Sequence, residues 1–117
     1  MSEIAWERRF SDADAAIREL IGRLPAEIRA EAERVPFILE KWPPADAPQD
    51  QLGLYMSFEP AVVSDAPGPI MIYVGPHVEF CEEEDLDFCE EVRRTYLHEL
   101  GHHLGLDEGE LEERGID

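Results

Sequence analysis

Leu97-His98-Glu99-Leu100-Gly101-His102-His103-Leu104-Gly105-Leu106-Asp107-Glu108, residues 97–108, joins the pattern H-E-x-x-H to a glycine and two carboxylates. Such a pattern sits on a helix and reads as a catalytic zinc site. Positions four apart on an α-helix lie about 40° apart around the axis and one turn along it, so His98 and His102 can offer their imidazoles to one ion. Glu99 stands about 100° round from His98. There its carboxylate could take a proton from a water held by the ion, without competing for the ion itself. A shuffled chain of this composition would carry the three fixed residues about 2 times in 100. The surroundings must therefore add to the case.

They do so upstream and downstream. Cys89, Val92, Tyr96, Leu100 and Leu104 recur at intervals of three and four, forming one apolar stripe. This spacing predicts a helix over 85–104 whose stripe faces the core, with His98 and His102 on nearly the opposite side beside Glu91, Arg94 and Thr95. Glu82, Glu83, Glu84, Asp85 and Asp87 crowd the expected N-terminus, where acidic groups complement the helix dipole. Gly105 suits the left-handed position just past the helix end, which turns the chain back. Catalytic zinc takes three protein ligands and keeps one position open, so a third ligand must follow that turn. Glu108 is the first candidate and Asp107 the alternative, since adjacent carboxylates on a regular chain cannot both point at one ion. His103 points about 100° away from His102, toward a supporting or surface role.

The segment resembles the extended signature of the zincin superfamily in its short Asp-zincin form, H-E-x-x-H-x-x-G-x-x-D, and in particular the small bacterial zinc metallopeptidases described as mini-zincins. Glu108 stands where that signature has Asp. Leu24-Pro25, Leu52-Gly53-Leu54-Tyr55, Ile70-Met71-Ile72-Tyr73 and Val92-Arg93-Arg94-Thr95 extend the likeness over residues 24–111. The resemblance implies a compact α/β unit, a small twisted sheet beside the active-site helix, and zinc-dependent hydrolysis of peptide bonds. It implies no Met-turn, and no methionine follows the motif.

At 117 residues, 44% of them apolar, the chain is sized for one domain over 1–117. No apolar run approaches the ~20 residues of a membrane span. Met1-Ser2-Glu3-Ile4 has neither a basic region nor an apolar leader, so a cytoplasmic location is expected. Cys81 and Cys89 lack metal or redox spacing, and on one helix they would stand about 12 Å apart, so both are expected as free thiols. The net charge of −18 disfavours nucleic acid and anionic membranes as partners and favours a basic peptide or protein substrate. Eight carboxylates fall within 79–91 and five within 107–113, on both flanks of the motif. A solubilising surface is the plainer account of them, and attraction of cationic substrates the functional one.

Elsewhere, Ser11 before Asp14 resembles a helix N-cap, followed by a stripe of Ala15, Ile17, Leu20, Ile21 and Leu24 that ends at Leu24-Pro25. A second helix is expected over 26–34 with Ile28 and Ala32 inward. Strands are expected over 37–42, 52–58 and 69–75, and 70–74 could form an edge for pairing with an extended peptide. The proline-rich 43–51 reads as a loop. Tyr55, Tyr73 and His77 are candidate donors to a tetrahedral oxyanion. The combined reading is an α/β (α+β) fold holding Zn2+ through His98, His102 and Glu108, with Glu99 as the general base of a metallopeptidase. The alternative is a non-catalytic metal-binding interaction domain with an acidic surface.

Overall fold

Ser2 opens the first helix, α1 (Glu3–Arg23): its Oγ accepts from the Ala5 N–H at 3.1 Å, and Glu3 and Arg23 sit at the ends that the helix dipole favours. The computed structural model describes residues 1–56 and 68–113, without the side chain of Glu108. Ser11 is therefore not the cap expected from the sequence. It is an exposed residue in mid-helix. The helical spacing continues upstream through Trp6 and Phe10, which pack on the core below Ala13, Ala16 and Ile17. Leu24 then adopts φ −67°, ψ 150°, the extended backbone that a following proline imposes, and α1 stops. The short α2 (Ala26–Arg34) buries Ile28 and Ala32, as its spacing requires.

Three strands follow: β1 (Phe37–Glu40), β2 (Gly53–Tyr55) and β3 (Ile70–Tyr73). Their order is β1-β3-β2, with β1 parallel and β2 antiparallel to β3. β3 is thus the central strand, paired on both sides, and not the peptide-binding edge that its prolines and glycines suggested. Ile70 and Ile72 are fully buried, which suits a strand enclosed by neighbours and helices. Among the described residues the edges belong to β1 and β2. The expected strand over 52–58 shortens to three residues, and its final two positions lie outside the described residues.

α3 (Val74–Glu84) starts directly from the end of β3, and α4 (Phe88–Leu104) follows after a tight break. The helix expected over 85–104 thus begins three residues later. Asp85 turns left-handed at φ 54°, ψ 52°, the Leu86 N–H donates to the Cys81 carbonyl at 3.0 Å, and Asp87 caps the Glu90 N–H at 2.9 Å. Glu82, Glu83 and Glu84 consequently sit at the end of α3, where the helix dipole is negative, and not at the start of α4. Cys81 and Cys89 fall on different helices and both are free thiols.

α4 packs against α1, α3, β2 and β3, and so carries the core. Val92, Tyr96 and Leu100 are fully excluded from solvent together with Ile17, Ile70, Ile72 and Val74. α5 (Glu108–Glu113) folds back over the end of α4 and buries Leu111. Among the described residues the architecture is five helices on a three-stranded mixed sheet, an α+β arrangement, and no helix is long and apolar enough to cross a membrane.

Candidate metal centre

The stripe that buries Phe88, Val92, Tyr96 and Leu100 leaves the opposite face of α4 to His98 and His102. Their ring centroids stand 4.7 Å apart with planes at 65°, one helical turn bringing two imidazoles side by side. Glu99 points inward between helix and sheet and is only 7% exposed. The ligand-capable atoms of His98, Glu99 and His102 all lie within 4.8 Å of one another. Glu99 Oε1 accepts from the Tyr55 backbone N–H at 2.9 Å and stands 3.2 Å from His102 Nδ1. A buried carboxylate needs such donors.

Gly53 explains how β2 comes close enough to supply one. A Cβ at this position would lie 2.7 Å from Thr95 Cγ2 and 2.9 Å from the Met71 carbonyl, so only glycine lets the strand rest on α4. The pairing of β2 with β3 then decides which groups face the helix. The Met56 N–H and the Leu52 carbonyl bond toward β3, so Gly53 and Tyr55 turn their backbone groups the other way, toward Glu99.

His103 is neither a surface residue nor part of the donor cluster. Its Nδ1 is 2.8 Å from the Tyr55 hydroxyl and its Nε2 is 3.1 Å from Glu31 Oε2 on α2. Hydrogen bonding from His103, then from Arg34, holds the Glu31 carboxyl below its ordinary range. Glu31 has no sequence signal that links it to the motif, being 72 residues away.

At the end of α4, Gly105 takes the left-handed conformation expected of it, φ 71° and ψ 27°, and the Leu106 N–H returns to the Gly101 carbonyl at 2.8 Å. Asp107 then caps α5. Its Oδ1 accepts from the Glu110 N–H at 2.8 Å, and Glu110 Oε1 faces the Asp107 N–H at 3.4 Å. The signal for this reciprocal cap is the D-x-x-E spacing of Asp107 and Glu110 in the sequence. A cleft of about 850 Å³ is lined by both motif histidines, Leu106, Asp107, Glu110 and Leu111. Glu108 is the first residue of α5, and its side chain lies outside the described residues.

The three candidate oxyanion donors have other occupations. His77 is fully buried, with Nδ1 2.7 Å from the Tyr73 carbonyl and Nε2 2.8 Å from Thr95 Oγ1. Burial depresses its pKa. Tyr73 is 3% exposed, and burial raises the pKa of its hydroxyl. The Tyr55 hydroxyl is engaged with His103.

A family model described as zincin-like metallopeptidase matches residues 27–116. The chain belongs to that family. A search of curated proteins found no match. The matched segment begins in α2, so it takes in Glu31, the sheet and all of α4, and leaves out the whole of α1. Zincin-like metallopeptidases are built around a metal, and the donor set here fits zinc. Zinc binds imidazole nitrogen at about 2.0–2.1 Å, which puts two ligating nitrogens of a tetrahedral site roughly 3.3 Å apart. The donor atoms of His98 and His102, within 4.8 Å of one another, stand near that spacing.

Proposed function

We propose that this zincin-like chain is a zinc-dependent peptidase, with His98, His102 and Glu108 holding the metal and Glu99 acting as general base. The observation that carries the reading is the convergence of His98, Glu99 and His102 on one point of α4 in a chain whose family is metallopeptidase. Bound zinc supplies Lewis acidity, polarising a carbonyl oxygen and making water nucleophilic at neutral pH. Glu99 accepts the proton of the attacking water and delivers it to the departing amine. The Tyr55 N–H fixes that carboxylate in place. Glu108 is preferred over Asp107 as third ligand because the Asp107 carboxylate is already engaged in capping α5.

The substrate in this reading is a peptide or protein segment that enters the cleft lined by His98, His102, Leu106, Asp107 and Glu110. Basic segments are favoured by the charge of −18 and by Asp107 and Glu110 on the cleft. Two free thiols agree with a reducing, cytoplasmic setting.

The test combines metal analysis with a peptide screen. Wild type should hold one zinc per chain, and His98→Ala and His102→Ala should lose it. Glu108→Ala should weaken binding more than Asp107→Ala; the reverse order would move the third ligand by one residue. Glu99→Gln should keep the zinc and lower turnover by about 10²–10⁴-fold. Zinc binding with no cleavage that depends on Glu99 would favour the metal-binding interaction domain instead.

A further inference from the structure

Tyr55 joins α2, by way of His103, to the carboxylate of Glu99. Its backbone N–H donates to Glu99 Oε1 at 2.9 Å, while its hydroxyl lies 2.8 Å from His103 Nδ1. His103 Nε2 in turn lies 3.1 Å from Glu31 Oε2, and Arg34 holds Glu31 at 3.0 Å. The directions of these bonds follow from the donors available. An ionised carboxylate only accepts, so the imidazole proton facing Glu31 sits on Nε2. Nδ1 of the neutral ring is then an acceptor, and the Tyr55 O–H donates to it. Both ring nitrogens of His103 are thereby occupied, and the phenol and imidazole pack edge to face at 5.4 Å.

Backbone pairing fastens β2 to β3, with Met56 N–H on the Pro69 carbonyl and Tyr73 N–H on the Leu52 carbonyl, but its side chains give it little hold. The strand has three residues and lies at the sheet edge among the described residues, and the side chains that flank Tyr55, Leu54 and Met56, are each 40% exposed. Gly53 lets the strand approach α4 closely. The Tyr55 side chain is the part of β2 that reaches His103 on α4, and His103 is only 15% exposed there.

We infer that Tyr55, His103 and Glu31 are positioning residues for Glu99, locking β2 at the place where the Tyr55 N–H holds the Glu99 carboxylate. The importance of that carboxylate rests on the peptidase reading, whereas the hydrogen bond itself needs neither metal nor substrate.

The test therefore begins with the metal-free protein. Amide hydrogen exchange is followed at Tyr55 in wild type, Tyr55→Phe, Glu31→Ala and Glu31→Gln, with the Val92 and Leu100 amides of α4 reporting on the fold. Tyr55→Phe and Glu31→Ala should speed exchange of the residue-55 amide by about tenfold while the α4 amides stay protected. Glu31→Gln keeps an acceptor for His103 and should restore wild-type exchange. In the zinc-loaded protein the first two variants should lower kcat by about tenfold with zinc content and KM unchanged. Unaltered exchange at residue 55 in both variants would overturn the inference, as would faster exchange with an unchanged kcat. The expected exchange pattern in a wild type that cleaves nothing would sink the peptidase reading and leave the link from Glu31 to Glu99 standing.

Discussion

Tyr96 and Glu99, three residues apart on α4, meet burial in opposite ways. Glu99 is supplied with a backbone N–H and a neighbouring imidazole. The Tyr96 hydroxyl, fully buried, has no hydrogen-bond partner among the described residues, and burial pushes its pKa up to about 12. The Tyr96 ring contributes through packing, edge to face with Phe37 at 6.1 Å. A buried hydroxyl without a partner costs about 1–3 kcal/mol of desolvation. Tyr96→Phe keeps the ring and removes that cost, so urea denaturation should show a gain of about 1 kcal/mol. A loss would mean that the oxygen has a partner after all. The contrast has a functional sense. The polar group that would do chemistry is held by donors, while the one beside it serves the core.

At the scale of elements, the decisive contact is β2 on α4, and Gly53 is its most exposed point of failure. The obstructing atoms for a methyl group there include the Met71 carbonyl, which belongs to the central strand and cannot swing aside as a side chain can. Gly53→Ala should therefore destabilise the fold by about 1–3 kcal/mol, read from denaturation, and should loosen the Tyr55 N–H from Glu99. An unchanged midpoint would show that β2 can retreat from the helix at no cost. The junction of α3 and α4 makes a related point. The run of acids from Glu82 to Asp87 looks like one helix N-terminus, but a left-handed Asp85 divides it, and Asp87 caps α4 with Glu90 and Glu91 in its first turn.

For the molecule as a whole, two charge effects oppose each other as pH falls. Net charge of −18 repels itself, and protonating carboxylates relieves that repulsion. His77 works the other way. It ties the β3–α3 corner to α4 through the Tyr73 carbonyl and Thr95 Oγ1, with the Phe88 ring edge-on at 6.4 Å, and burial lowers its pKa. Above its ordinary pKa of about 6.5 both folded and unfolded chains are neutral at this residue, so it adds no pH dependence. Below that value the unfolded chain takes up a proton that the folded one refuses, and stability falls until the depressed folded pKa is reached. In about 1 M salt, where the screening length is about 3 Å, the thermal midpoint should hold steady from pH 8 to 7 and drop toward pH 5. A midpoint that rises over that lower interval would contradict this account of His77. Metal should matter less to the fold than protons do. Val92, Tyr96 and Leu100 bury α4 without any ion, so a chelator should leave most of the far-UV circular dichroism intact. Collapse of the helical signal on chelation would make the metal structural.

What the amino-acid sequence determined by itself lies within a few residues of the motif. The phase that puts His98 and His102 on one face, the stripe of Val92, Tyr96 and Leu100 on the other, and the left-handed Gly105 all follow from helix geometry and local backbone sterics, which act over one or two turns. The starts of α1 and α4 are not fixed by local signals, because Ser2 and Ser11 can both cap, and Asp85 and Asp87 are both acidic. Packing of Trp6 and Phe10 decided the first pair, and the α3–α4 corner decided the second. Only the tertiary structure made β3 central, gave Glu99 its donor from Tyr55, and placed Glu31 and Tyr55 on the two nitrogens of His103. Those contacts join residues 44, 48 and 72 positions apart, and no local rule reaches so far. They exist because burying one shared core brings α2, β2 and α4 together.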